Sequence, residues 1–267
     1  MAADRLHLSL NVVMARSLDW DSFVATAAGR TVRVWEEDAF ARFVSGVRGD
    51  RALQLGLTQF DPLAASPIVH RIAASEHVVA QSEKDLRVRL VCRPEALPLQ
   101  SESCDLVVWP HGPDCCAEHF GAALAEVERV LAPNGVLVVT FFNSLGSWKL
   151  REKLFAASHV LPDGAAQLSL TAVKQALRAA SLSIEGGNFG VYAVNEKAEP
   201  TAGVRLPTWI DKAGDRWWPT LSNVVLLSAR KQTTQMKMVG KINFAPTRSL
   251  AASGAVAHKE AAQTDTP

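Results

Sequence analysis

Residues 97–148 read LPLQSESCDLVVWPHGPDCCAEHFGAALAEVERVLAPNGVLVVTFFNSLGSW, and this stretch decides the fold. Asp105 to Trp109 has the apolar run of a strand. From Phe120 onward, Ala123, Leu124, Val127, Val130 and Leu131 recur on one stripe while Glu126, Glu128 and Arg129 point elsewhere, which predicts an amphipathic helix. Pro133-Asn134-Gly135 ends that helix. Val136 to Phe142 is apolar throughout, as a central parallel strand covered on both faces must be. The polar residues that follow fall where an open parallel sheet places its ligand.

Toward the N-terminus, Phe40, Phe43, Val44 and Val47 lie at helical spacing within Glu37 to Val47, and Gly49-Asp50 stops them. Ala52 to Gly56 reads as a short strand ending in glycine, and Asp61-Pro62 as an N-cap with proline at the first helical position. Further strands are expected at Ile68 to Ala73 and Val88 to Cys92. Toward the C-terminus, helices are expected near Ser147 to Ser158 and Thr171 to Ala180, with strands around Ile184 to Val194 and Leu221 to Ala229. This alternation predicts an α/β fold with a doubly wound, mostly parallel sheet over residues 1–229. Residues 230–267 carry Arg230, Lys231, Lys237, Lys241, Arg248 and Lys259 before any acid, and are expected to form a basic, largely disordered tail.

A chain of 267 residues with 48% hydrophobic content buries one large core. Its formal charge of +1 supplies no global attraction to nucleic acid or anionic membrane, and the tail lacks the aromatic series that stacks bases. Cys92, Cys104, Cys115 and Cys116 fit neither paired zinc spacing nor a secreted disulfide framework, so reduced thiols and no metal are expected. Cys115 and Cys116 read as small packing residues of an Ala-rich helix. No 18-residue apolar run exists, and Leu6 to Ala15 is broken by His7, Ser9 and Asn11. A cytoplasmic protein is the expectation.

The ordered series of a Gly-ended strand, Leu97-Pro98-Leu99, Cys104-Asp105-Leu106-Val107-Val108 and Glu126 to Gly135 resembles the class I methyltransferases that use S-adenosylmethionine, specifically the type 11 group. It matches that group's "LPF", "fDvV" and "E..RvLkPgG" blocks, and covers roughly Glu36 to Trp148. Phe142-Asn143-Ser144 and Ser147-Trp148 look like a bacterial subgroup. The resemblance implies a Rossmann-like fold, S-adenosyl-L-methionine as cofactor, and an unidentified, small-molecule methyl acceptor.

Carried over residue by residue, the resemblance makes Gly56 the first glycine of the cofactor loop. The usual acid two residues earlier is Gln54, and the later glycines are Thr58 and Phe60, whose side chains stand where backbone would approach the ligand. About twenty residues on, Glu76 takes the place of the ribose-binding acid, the alternative being an ordinary exposed glutamate. The acid that holds the adenine amino group is replaced by Arg93, leaving Glu95 and Ala96 as candidates for that contact. His111 follows the fourth strand at the edge where the family contacts the methionine end and the acceptor, and is a candidate base or else a structural hydrogen-bonding group. Asn143 is either an acceptor-orienting group or a helix-entry residue. Asp105 is expected to cap or pair locally.

Two functions compete on these residues. One is methyl transfer, which needs positioning more than a fixed catalytic triad. The other is a catalytically inactive methyltransferase-like binding or interaction module, pointed to by Gln54, Thr58, Phe60 and Arg93. A nicotinamide enzyme fits less well, because the full G-x-G-x-x-G is missing.

Overall fold

The apolar runs of the sequence assemble into a seven-stranded sheet of order β3-β2-β1-β4-β5-β7-β6. The strands are β1 (Arg51–Leu55), β2 (His70–Ser75), β3 (Val88–Val91), β4 (Cys104–Trp109), β5 (Leu131–Phe142), β6 (Leu182–Gly190) and β7 (Val224–Lys231). The helices are α1 (Trp20–Ala25), α2 (Ala27–Val44), α3 (Gly112–Cys115), α4 (Phe120–Val130) and α5 (Leu170–Ala179). This computed structural model describes residues 19–77, 87–150, 160–162, 164–166, 168–192 and 221–232. Strands β1 to β5 pair in parallel, whereas β7 runs antiparallel to both β5 and β6. Because β1 lies between β2 and β4, the chain winds outward in both directions from the β1/β4 boundary. Crossovers diverge there, and their carboxyl ends leave the crevice in which such sheets bind ligands.

The core is two-sided, as the continuous apolar runs require. Leu53, Val107, Leu137 and Val139 pack with Ala123, Leu124 and Val127 of α4 on one face. Ala52, Leu106, Val108 and Val138 pack with Ala39, Phe40 and Val44 of α2 on the other. No helix among the described residues is long and apolar enough to cross a membrane.

Several elements differ from the sequence reading. Helix α2 begins at Ala27, ten residues before Glu37, because Thr26 caps it by accepting from the Gly29 N–H at 3.0 Å. The Asp61-Pro62 signal makes a turn rather than a helix: the Asp61 side chain accepts from the Leu63 N–H, and Ser66-Pro67 stops the chain one turn later. Strand β5 begins at Leu131, with Pro133 to Gly135 inside it as an irregularity where the register with β4 shifts and Asn134 takes φ 64°. Cys115 and Cys116 end the four-residue α3 instead of packing within an Ala-rich helix; Cys115 is exposed and Cys116 Sγ donates to Gly112 O. Arg230 and Lys231, read as the start of the tail, belong to β7. The Lys231 ammonium donates to the carbonyls of Glu128 and Leu131, closing the C-terminal end of α4. The rest of the expected tail, residues 151–159 of the helix expected from Ser147, and residues 193–194 lie outside the described residues.

One contact explains why the Leu97-Pro98-Leu99 and Glu126-to-Gly135 blocks occur together. Arg129 donates to Leu97 O at 3.0 Å and Leu99 O at 2.9 Å, while Glu126 accepts from the Leu97 N–H at 3.0 Å and pairs with Arg129 at 2.8 Å. The arginine fork thus fixes the loop between β3 and β4 against α4. Its partner Glu126 is held below the usual carboxylate range by that Arg129 hydrogen bond. Arg129→Met is expected to cost about 2 kcal/mol, from several charge-assisted bonds at a partly exposed site. Hydrogen exchange at Leu97 should accelerate first. An unchanged Leu97 protection factor would contradict the assignment.

Candidate functional site

The crevice at the carboxyl ends of β1 and β4 begins with Gly56. Its φ of 61° lies in the left-handed region open to glycine, and no atom stands within 4 Å of where its Cβ would be. Its N–H donates to Ala74 O at 2.8 Å, which keeps it at the end of the β1/β2 ladder. Beyond it the chain is held by side chains. Gln54, fully buried, donates to Leu57 O and Phe60 O at 3.0 Å each, and its carbonyl accepts from Arg87. Arg87 also donates to Phe60 O and Thr58 O at 3.2 Å. Thr58 and Phe60 are buried, so both side chains point into the protein rather than out over the crevice. A buried guanidinium and an amide satisfy the loop's carbonyls and hold its path without further glycines.

Glu76 lies one residue past β2, exposed. Glu95, half-buried, and Ala96, exposed, follow β3 in a turn closed by the Ala96 N–H donating to Arg93 O. Arg93 is exposed. These residues share the edge with thiols: burial and then the Glu76 charge raise Cys92, while burial, Glu95 and Glu76 push Cys116 up to about 12. Both thiols stay protonated at neutral pH and are poor nucleophiles. Among the described residues, no group of three or more His, Cys, Asp or Glu is arranged to hold a metal ion.

His111 sits at the same crevice but fully buried, in a left-handed conformation of φ 50° immediately before α3. Its N–H donates to Thr140 Oγ1. Its ring Nδ1 contacts Asp114 Oδ2 at 2.8 Å, and Nε2 lies 3.1 Å from Glu36 Oε1 with the N–H out of line for a hydrogen bond. Trp20 and Phe142 cover the ring, at centroid separations of 4.7 and 4.2 Å. Burial alone would lower the imidazole pKa, but the Glu36 charge and the Asp114 hydrogen bond outweigh it and raise it to about 9. His111 is therefore an imidazolium at neutral pH. Asp114 is raised in turn by burial, against the opposing pull of His111 and of the Phe142 N–H, which donates to it at 2.9 Å.

Asn143 serves the turn after β5: its amide donates to Ser222 O and its side-chain oxygen accepts from the Leu145 N–H. Asp105 accepts from the Asp50 and Arg51 N–H groups at the opposite edge of the sheet, a pairing 55 and 54 positions back in the chain rather than the local one expected of it.

The structure thus gathers Gly56, Glu76, Glu95, Ala96 and His111 along the carboxyl edge, with His111 enclosed and the others nearer solvent. Sequence reading missed Glu36, Arg87, Asp114 and Trp20. Glu36 carried a usable signal, because it falls on the buried stripe of α2 with Val32, Ala39 and Phe40, where an acid is out of place.

Comparison with known proteins agrees with this architecture. Residues 57–139 match the family described as the methyltransferase domain. No curated protein matches the chain. Among solved structures, the complex between the Haloferax volcanii Trm112 methyltransferase activator and the putative methyltransferase contains a chain that aligns at 16% identity and TM-score 0.54, covering 81% of this chain and 99% of that one. A geranyl diphosphate methyltransferase in complex with S-adenosylmethionine aligns at 17% identity and TM-score 0.50, covering 73% of this chain and 85% of that one. At these identities the likeness establishes the fold.

The charged cluster has a pH signature. Since the folded-state pKa of His111 is raised from 6.5 to about 9, its contribution to stability is complete below about pH 6.5 and lost as pH rises through 9. The thermal midpoint of the wild type should fall more steeply between pH 7 and pH 9.5 than that of His111→Gln. Equal slopes would show that the ring titrates normally.

Proposed function

We propose that this chain, which belongs to the type 11 group of class I S-adenosylmethionine-dependent methyltransferases, transfers a methyl group to a small-molecule acceptor at the carboxyl edge of its sheet. The supporting observation is the junction of β1 and β4, where Gly56 takes a left-handed conformation with open space before it and Glu76 stands beyond the neighbouring strand. These residues fit the cofactor: the backbone at Gly56 would receive its methionine end, Glu76 the ribose hydroxyls, and Glu95 with Ala96 the adenine. When bound, S-adenosylmethionine supplies an electrophilic methyl on a sulfonium. The protein's part is positioning and exclusion of water, which suit a displacement that needs only an aligned lone pair.

The Gln54–Arg87 network holds the loop in one path, and Trp20, Phe23 and Phe142 form an apolar wall at the inner end. His111, charged at neutral pH, has no lone pair with which to take a proton and acts through its charge and its hydrogen bonds. The four free cysteines support a reducing, cytoplasmic setting. A silent binding module is the second reading, favoured by Gln54 and Arg93 standing where the resemblance puts acids.

Thermal unfolding with S-adenosylmethionine, S-adenosylhomocysteine and NAD separates the two. Ligand at 100 times its dissociation constant stabilises by ~2.7 kcal/mol, a rise of several degrees for a domain of this size. We expect that rise with the first two ligands and none with NAD, and a loss of about tenfold in S-adenosylhomocysteine affinity in Glu76→Ala. No shift in well-folded protein would establish the silent module.

A further inference from the structure

Glu36 is a fully buried carboxylate that the fold leaves incompletely satisfied. It projects from the apolar face of α2, among Val32, Ala39 and Phe40, and both of its oxygens are buried without a hydrogen bond. Its charged neighbour is the His111 imidazole at 3.1 Å. That ring is already engaged: Nδ1 pairs with Asp114 Oδ2, which also accepts from the Phe142 N–H. Two carboxyl groups thus face one imidazole, and the oxygens of Glu36 are left without a hydrogen bond in the interior. Buried carboxyl oxygens are costly unless they are hydrogen-bonded or paired, so this apolar setting favours a ligand that brings a donor or a positive charge.

The surroundings specify that partner. Trp20 lies against Phe23, Phe60 and the His111 ring at 5.6, 6.5 and 4.7 Å, and Phe142 packs against the same imidazole at 4.2 Å. Aromatic faces beside a buried carboxyl group that lacks a hydrogen-bond partner favour a weakly hydrated cation with apolar substituents, which gains from the ring quadrupoles and from the carboxylate. They offer little to a metal ion, and among the described residues no three His, Cys, Asp or Glu side chains are arranged to hold one.

We propose that Glu36 is the counter-charge of a pocket that takes an onium group, either a sulfonium or an alkylammonium, beneath Trp20. The pocket rests on the methyltransferase reading, since it lies at the inner end of the same crevice. The onium group is supplied by the cofactor's sulfonium or by an amine on the acceptor. In the second case the ammonium gives its proton to the Glu36 carboxylate, the freed nitrogen pair forms the new N–CH3 bond, and the C–S bond pair departs to sulfur as a thioether. Because Glu36, His111 and Trp20 are all buried, ligand entry displaces the Trp20 side chain.

Calorimetric titration of the wild type, Glu36→Gln and Glu36→Asp tests this, with S-adenosylmethionine, S-adenosylhomocysteine, and benzylammonium against benzyl alcohol in the presence of S-adenosylhomocysteine. If the sulfonium is the ligand, the wild type binds S-adenosylmethionine about tenfold tighter than S-adenosylhomocysteine, and Glu36→Gln abolishes that preference while leaving S-adenosylhomocysteine binding intact. If an amine is the ligand, benzylammonium binds where benzyl alcohol does not, and Glu36→Gln loses it. Glu36→Asp retains part of either preference. A wild type with neither preference, or a Glu36→Gln variant that keeps one, overturns the proposal. Failure of S-adenosylhomocysteine to bind overturns the methyltransferase reading, and the benzylammonium comparison then decides Glu36 by itself.

Discussion

One positive charge in the interior, the imidazolium of His111, organises the crevice. It links β4, which it follows, to Asp114 of α3, Glu36 of α2 and, through its backbone N–H, Thr140 of β5. Asp114 passes the linkage on to the Phe142 N–H at the end of β5. Ion contacts of this kind contribute little stability once desolvation is counted, but they fix geometry, because each misplacement leaves a buried charge unpaired. The same cluster determines which chemistry is open to the site. A ring held as an imidazolium is a donor and a charge, so a proton released during transfer must go elsewhere.

The cofactor loop shows a second physical solution. Glycine-rich loops let backbone approach a ligand by removing side chains. Here only Gly56 keeps that freedom, and Thr58 and Phe60 turn their side chains inward while Gln59 between them is exposed. Inward-turned side chains leave the loop carbonyls to be satisfied, and Gln54 and Arg87 do so together. Gln54 in place of the family's acid makes sense in this context: an amide donates to carbonyls and accepts from a guanidinium, whereas a carboxylate accepts only.

The sheet was legible because a parallel strand covered on both faces needs continuous apolar sequence, as in Val136 to Phe142, and because α4 repeats at 3.6 residues. Gly56, Glu76 and His111 were legible as edge residues because the resemblance supplied their spacing. What escaped were long-range partnerships. Arg87 precedes β3 by one residue and reaches back 33 positions to Gln54. Glu36 lay just outside the helix as read from sequence, although its place on the apolar stripe marks it. The Asp61-Pro62 turn failed as a helix for a local reason, since Ser66-Pro67 follows before a second turn can form.

Nitrogen chemical shifts of the His111 imidazole, followed from pH 5 to pH 11 in uniformly labelled protein, test the organising charge directly. Two protonated ring nitrogens at pH 7 and a transition near pH 9 are predicted. A neutral ring at pH 7, with a single protonated nitrogen, would contradict the account, returning His111 to the role of a base and leaving Glu36 without its neighbouring charge.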